Sequence, residues 1–297
     1  MAEGEQMNTR VFAAGMLMGA SLGAQADPFV YMTTSRGYLL RAQLGASGFE
    51  VIGNSSPDWL TTANIITLET GHDGRFWSSY TYSGWSDGSI VGGVIAEINR
   101  TTGLVTPRYA MNQNSNFGGG GGGLNFAGGM ALHDDGTFWM LNWDFGGTGP
   151  VFLHQIDIQT GEILNKVLTE MENKISGAMV FRNDGMLVNL AYSQGGMGPV
   201  MSVINPVDGR VSSQELLQGP TNITGLTQYE GQTYLSTQYG PVYRFDFDTL
   251  GYELVWDINA GFLDEYGTIW GITVNPTPGT ITPVLLCLGL VSRRRRV

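Results

Sequence analysis

Cysteine is nearly missing from this chain: Cys287 stands alone in an apolar stretch near the C-terminus. If that stretch is removed, no disulfide framework, thiolate nucleophile or cysteine-based metal site is possible, and packing and backbone ladders must hold the rest together. Charge is also scarce, at 14% of residues. Long surface helices need Glu, Lys and Arg on their wet face, and no long 3.6-residue periodicity runs through the body. Histidine is confined to His72, His133 and His154, which are not at metal-ligand spacing. There is no Gly-x-Ser-x-Gly elbow and no defensible Ser/His/Asp order. The glycine run Gly118 to Gly123 lacks the Gly-Lys-Ser/Thr of a phosphate loop and reads as a loop tip.

Basic charge is the scarcest resource once the two ends are set aside. Arg10 and Arg293 to Arg296 belong to the N- and C-terminal segments, as do Glu3 and Glu5, leaving 10 basic and 24 acidic residues in the body, a net −14. Such a surface repels phosphate backbones, which excludes nucleic acid as the expected partner and disfavours anionic lipid. What is abundant is glycine, with 44 residues, and aromatic residues at 11%. That composition suits short strands joined by tight turns.

The N-terminal region has the pattern of a secretory signal. Met7-Asn8-Thr9-Arg10 opens a basic stretch, Val11 to Leu22 is apolar, and Ala24-Gln25-Ala26 has the small-x-small form of a cleavage site. Residues 1–26 are therefore expected to be removed by a signal peptidase. At the other end stand Pro276-Thr277-Pro278-Gly279, an apolar run from Ile281 to Ser292, and the basic block Arg293, Arg294, Arg295 and Arg296. The basic block would act as a cytoplasmic-side stop, making the tail a membrane anchor before processing. This ordered trio resembles the PEP-CTERM sorting tail, with Pro-Thr-Pro where the family has Pro-Glu-Pro. The resemblance covers residues 276–297. It implies an exosortase-like processing enzyme as a partner, and a final location at the cell surface or outside the cell.

Between the ends, the body (27–275) repeats. His72-Asp73-Gly74-Arg75-Phe76-Trp77 recurs as Asp134-Asp135-Gly136-Thr137-Phe138-Trp139, as Asn183-Asp184-Gly185-Met186-Leu187-Val188, and in degenerate form as Tyr229-Glu230-Gly231-Gln232-Thr233-Tyr234. Asp-Gly accepts the positive φ angles of a tight hairpin. A second turn follows in each copy, after Asn99, Asp157, Asn205 and Asp246. Each unit thus reads as a four-stranded antiparallel meander, recurring roughly every 45–60 residues, the unit of a β-propeller blade. The first unit lacks its leading strand, and Trp270-Gly271-Ile272-Thr273-Val274 supplies a spare one. The expected fold is all-β: a propeller of about five four-stranded blades closed by the C-terminal strand. Six blades or a β-sandwich are the alternatives.

Recurrence at turns makes the Asp73, Asp135 and Asp184 carboxylates structural in expectation, and Asp246-Phe247-Asp248 lacks the oxygen ligands of a calcium loop. No metal and no cofactor is expected. Trp77, Trp139, Tyr234 and Tyr31 share one repeat position and read as packing between blades. Trp85, Trp143, Tyr82 and Tyr192 fall at or beyond strand ends, close to Asn142 and Asp144. Aromatic rings beside amides and carboxylates suit sugar binding, so Trp85, Trp143, Asp144, Asn142, Tyr82 and Tyr192 are the candidate ligand-binding residues. The functional expectation is a non-enzymatic binding or structural module at the cell surface or in the extracellular matrix, with a polysaccharide or surface protein as ligand. The alternative is a secreted propeller hydrolase or lyase, with Asp144, Asn142, Asn189 and Glu69 converging on the central channel.

Overall fold

A computed structural model describes residues 28–54, 63–65, 67–71, 73–82, 93–111, 129–141, 150–171, 177–192, 199–216, 218–257 and 262–275. They form five antiparallel sheets. The first contains β1 (Phe29–Thr34), β2 (Tyr38–Gln43) and β3 (Glu50–Asn54). The second contains β4 (Ala63–Ile65), β5 (Glu69–Thr70), β6 (Phe76–Tyr82), β7 (Gly93–Ile98) and β8 (Val105–Met111). The third contains β9 (Met130–Leu132), β10 (Thr137–Leu141), β11 (Phe152–Asp157) and β12 (Ile163–Leu168). The fourth contains β13 (Ala178–Phe181), β14 (Leu187–Tyr192), β15 (Pro199–Ile204) and β16 (Val211–Leu216). The fifth contains β17 (Ile223–Tyr229), β18 (Gln232–Thr237), β19 (Val242–Phe245) and β20 (Tyr252–Trp256). After a short helix, α1 (Phe262–Tyr266), the last strand, β21 (Ile269–Asn275), returns to pair with β1 from Phe29↔Asn275 to Thr34↔Ile269.

The leading strands β21, β5, β9, β13 and β17 contact one another in a closed ring. This is a five-bladed β-propeller latched by its C-terminal strand, and it leaves no place for a sandwich or a sixth sheet among the described residues. Five apolar clusters, one at each blade boundary, make up the core. The aromatic repeat position performs the packing expected of it. Tyr31 meets Phe76 of the next blade at 4.7 Å, Trp77 meets Phe138 at 5.6 Å, and Trp139 meets Phe181 at 6.1 Å between ring centroids. Tyr234 packs with Val30 and Val274 across the closure. The helix was not foreseen; Phe262 and Tyr266 clasp Phe49 and Tyr38 of the first blade edge-on.

The turn chemistry differs from the simple two-residue hairpin in an instructive way. In the third blade, the Gly136 N–H donates to His133 O at 2.9 Å and the His133 N–H donates to Thr137 O at 2.9 Å. That is a type I turn followed by a bulge, in which only the glycine takes a positive φ, here 84°. Asp135 instead receives the Thr137 N–H at 2.9 Å, as Asp73 and Asp184 receive the N–H two residues on. The degenerate copy is the one with positive φ at both central residues, Glu230 at 50° and Gly231 at 76°. In the second turn, Asp157 receives the N–H groups of Gln159 and Thr160, and Asp246 those of Asp248 and Thr249. These carboxylates are spent on turns, as the repeat phase predicts.

The innermost strands approach so closely that side chains are excluded at one level. A Cβ on Gly129 would fall 2.0 Å from Gly177 O of the next blade, and one on Gly225 would fall 2.8 Å from Ile272 N. In two blades an extra residue stands near that level: Trp270 and Thr224 are bulged out of their pairings.

Candidate binding site on the propeller axis

Strand register places one residue from each blade at a common level on the axis. Thr273 pairs with Tyr31, Glu69 with Trp77, Ala131 with Trp139, Val180 with Val188, and Thr227 with Tyr234. Four of the five are apolar or hydroxylic, and Glu69 is the ionisable exception. Just inside that level the strands close to a throat of about 10 Å³, lined by Thr67, Glu69, Gly129, Ala178, Gly225 and Gly271, with room for about one water. On the side of the Asp-Gly turns the channel widens into a cup of about 410 Å³. All five blades contribute to it, among them Glu69, Thr70, Phe181, Arg182, Gln228 and Thr273.

Glu69 lines both throat and cup. It is 8% exposed, and no hydrogen bond or ion pair to its carboxyl is found among the described residues. Burial alone pushes its acid well above the ordinary carboxylate range. The basic side chains nearest the cup are engaged elsewhere. Arg182 is 3.0 Å from Asp184 of its own turn and lies over the Phe247 ring, and His133 is 3.0 Å from Asp135. Thr70 and Thr273 share a hydroxyl hydrogen bond of 2.7 Å at the closure between the first two blades. Behind Glu69, Ser79 N donates to Thr67 Oγ1 at 3.1 Å and Ser78 Oγ donates to Thr67 O at 2.5 Å, which fixes the backbone before the carboxyl. The cup is therefore a concavity lined by the aromatics Phe181 and Tyr229, amides, paired charges, hydroxyls and one buried acid.

The candidates from sequence fare unevenly. Trp85, Trp143, Asn142 and Asp144 lie outside the described residues, as do the signal region 1–26, the tail residues Pro276, Pro278, Gly279 and Arg293 to Arg296, and His72. Tyr82 and Tyr192 are the last residues of β6 and β14, at the end of the blades opposite the Asp-Gly turns and so away from the cup. Asn189 does not join Glu69 in the channel: it is fully buried, and its Oδ1 accepts the Gly177 N–H at 2.8 Å, bracing the start of β13. His154 is likewise a core residue, its pKa pushed down to about 4 by burial and by the charge of Lys166. The cup residues Thr70, Thr273, Phe181, Arg182 and Gln228 were missed. Only an alignment of the five leading strands, setting Glu69 against Ala131, Val180, Thr227 and Thr273, carries a signal for the site in the sequence. Among the described residues no group of three His, Cys, Asp or Glu could hold a metal, and no helix is long and apolar enough to cross a membrane.

No family model and no curated protein matches the sequence. The fold does match solved structures. An α-L-arabinofuranosidase from Clostridium thermocellum aligns over 74% of this chain and 82% of its own, at 12% identity and a TM-score of 0.52. An exo-β-1,3-galactanase from Phanerochaete chrysosporium, solved with β-1,3-galactotriose, aligns over 81% of this chain and 59% of its own, at 10% identity and a TM-score of 0.54. At such identities the likeness is one of fold, which hosts many chemistries.

Proposed function

We propose that this propeller is an exported, surface-associated or matrix protein that binds a saccharide in its axial cup without turning it over. The observation that carries the reading is the cup itself. It is a pre-formed concavity of about 410 Å³ built by all five blades, within the size range of small-ligand sites. Phe181 and Tyr229 add apolar lining for a sugar, while Gln228, Thr70 and Thr273 offer hydroxyl-matching groups. The acidic body favours neutral or cationic ligands over phosphorylated ones. Export rests on the signal pattern of residues 1–26, and surface delivery on the sorting tail of residues 276–297. Signal peptidase and an exosortase-like enzyme would act in turn, the membrane being engaged only through the termini before processing.

Two measurements test this reading. Intact mass and fractionation of the protein from its own cells should show both termini removed and the body outside the inner membrane. Retention of the protein on immobilised extracellular polysaccharides should occur without release of reducing sugar. Release of sugar that disappears with Glu69→Gln would replace the binding module by an enzyme. Cytoplasmic location with intact ends would overturn the export reading.

A further inference from the structure

We propose that the ligand of the axial cup carries a primary ammonium group, as in a polysaccharide with free (not N-acetylated) hexosamine residues, and that Glu69 is its counter-charge. The inference rests on the saccharide-binding reading above and narrows it to a substrate class.

The argument begins with the repeat. One position of the leading strand is filled by Ala131, Val180, Thr227 and Thr273 in four blades, and all four residues are buried. The fold therefore needs no acid there. A buried carboxyl lacking a partner is costly, and proteins rarely place Glu in the interior unless something pairs with it. Among the described residues nothing does. Arg182, the cation that reaches the cup, is turned to Asp184, and the His133 ring lies against Asp135. A cation entering through the cup, which Glu69 lines, would let this acid release its proton and would supply the pairing that the described residues do not.

The chemistry of that charge follows from the remaining groups. A calcium-like ion wants six to eight oxygen ligands, usually several of them carboxylates. The cup is lined by one buried carboxylate, Glu69, one exposed carboxylate, Asp134, and the Thr70–Thr273 hydroxyl pair, too few for such a cage. An ammonium group has three donors and needs no such cage. Its attached sugar ring would meet Phe181 and Gln228 higher in the cup. An N-acetyl group would remove the charge and add bulk at the narrowest part, just above the throat.

The test uses the full-length protein and titrates it with soluble oligomers of glucosamine, N-acetylglucosamine and glucose, followed by calorimetry at neutral pH. Selective binding of the glucosamine oligomer is expected, with affinity falling at least tenfold in Glu69→Gln and in Glu69→Thr, the residue type that the fifth blade carries there. Glu162→Gln, an exposed carboxylate on the outer turn of the third blade, should bind as the natural protein does. Equal binding of amine and neutral oligomers, or undiminished binding by folded Glu69→Gln, would overturn the ammonium inference while leaving a saccharide module. Competition by millimolar calcium chloride that abolishes amine binding would overturn it in favour of a metal site. Failure to bind any oligomer would overturn it as well; the module reading would then stand or fall on polysaccharide retention.

Discussion

The hydroxyls of Thr70 and Thr273 lie 2.7 Å apart although 203 residues separate them in sequence. They join the first blade to the second beside the axis, on the strand that closes the ring. A double-mutant cycle on Thr70→Val and Thr273→Val should give a coupling of about 0.5–1.5 kcal/mol in denaturant unfolding, the usual net worth of a hydrogen bond. Additive losses would mean that the pair does not support the closure.

Glu69 should be a stability liability. Replacing it by Val, the residue of the fourth blade, removes a desolvated acid from a position that the other blades fill with small apolar or hydroxylic side chains, and an increase of about 1–3 kcal/mol at pH 7 is expected. The pH dependence has a definite sign. The folded-state acid titrates above its unfolded value, so the folded protein holds a proton that the unfolded chain has released. Glu69 therefore lowers stability progressively as pH rises from the ordinary glutamate range towards its raised folded value. Glu69→Gln should flatten that part of a stability-against-pH curve.

His154 acts in the opposite direction. Its folded pKa of about 4 lies below the ordinary value of 6.5, first because of burial and then because of Lys166. The unfolded chain gains the proton first on acidification, so stability present above pH 6.5 is lost as pH falls towards 4. The loss is at most about 3 kcal/mol. Urea midpoints measured at neutral pH and near pH 4.5 should converge in His154→Leu relative to the natural protein.

The glycine level on the axis should tolerate almost nothing. In Gly129→Ala the new Cβ would sit 2.0 Å from Gly177 O and 2.6 Å from Met179 N, both backbone atoms of the neighbouring blade. Since backbone on a closed ring cannot withdraw at one point, a loss of several kcal/mol is expected, seen as a lowered thermal midpoint or as insoluble protein. Gly136→Ala meets no neighbour within 4 Å, and it should cost only the strain of its positive φ of 84°.

Much of the architecture is legible without coordinates because its causes are local or periodic. Asp135 and Asp157 cap turns with their own backbone neighbours, so a short window of residues suffices to place them. Tyr31, Trp77 and Trp139 recur at one phase of the repeat, so comparing copies identifies them as packing residues. The unpaired first unit and the spare last strand announce the closure between β1 and β21. Turn geometry was less legible. A type I turn with a bulge and a two-residue turn both accept glycine, and the choice depends on how many residues the flanking strands pair.

The order of strands and the ring they form were determined by the sequence itself, through alternation, turn residues and self-similarity acting over short stretches. Which side chains meet on the axis was decided only by the tertiary structure. Glu69, Phe181, Gln228 and Thr273 come from four blades and share no local pattern; they come together because the closed ring of leading strands brings equivalent levels to one point. The same closure turns Asn189 into a brace for the Gly177 backbone and leaves Glu69 alone with an unpaired carboxyl, since burial and partnership are properties of the assembled ring and not of any segment of it.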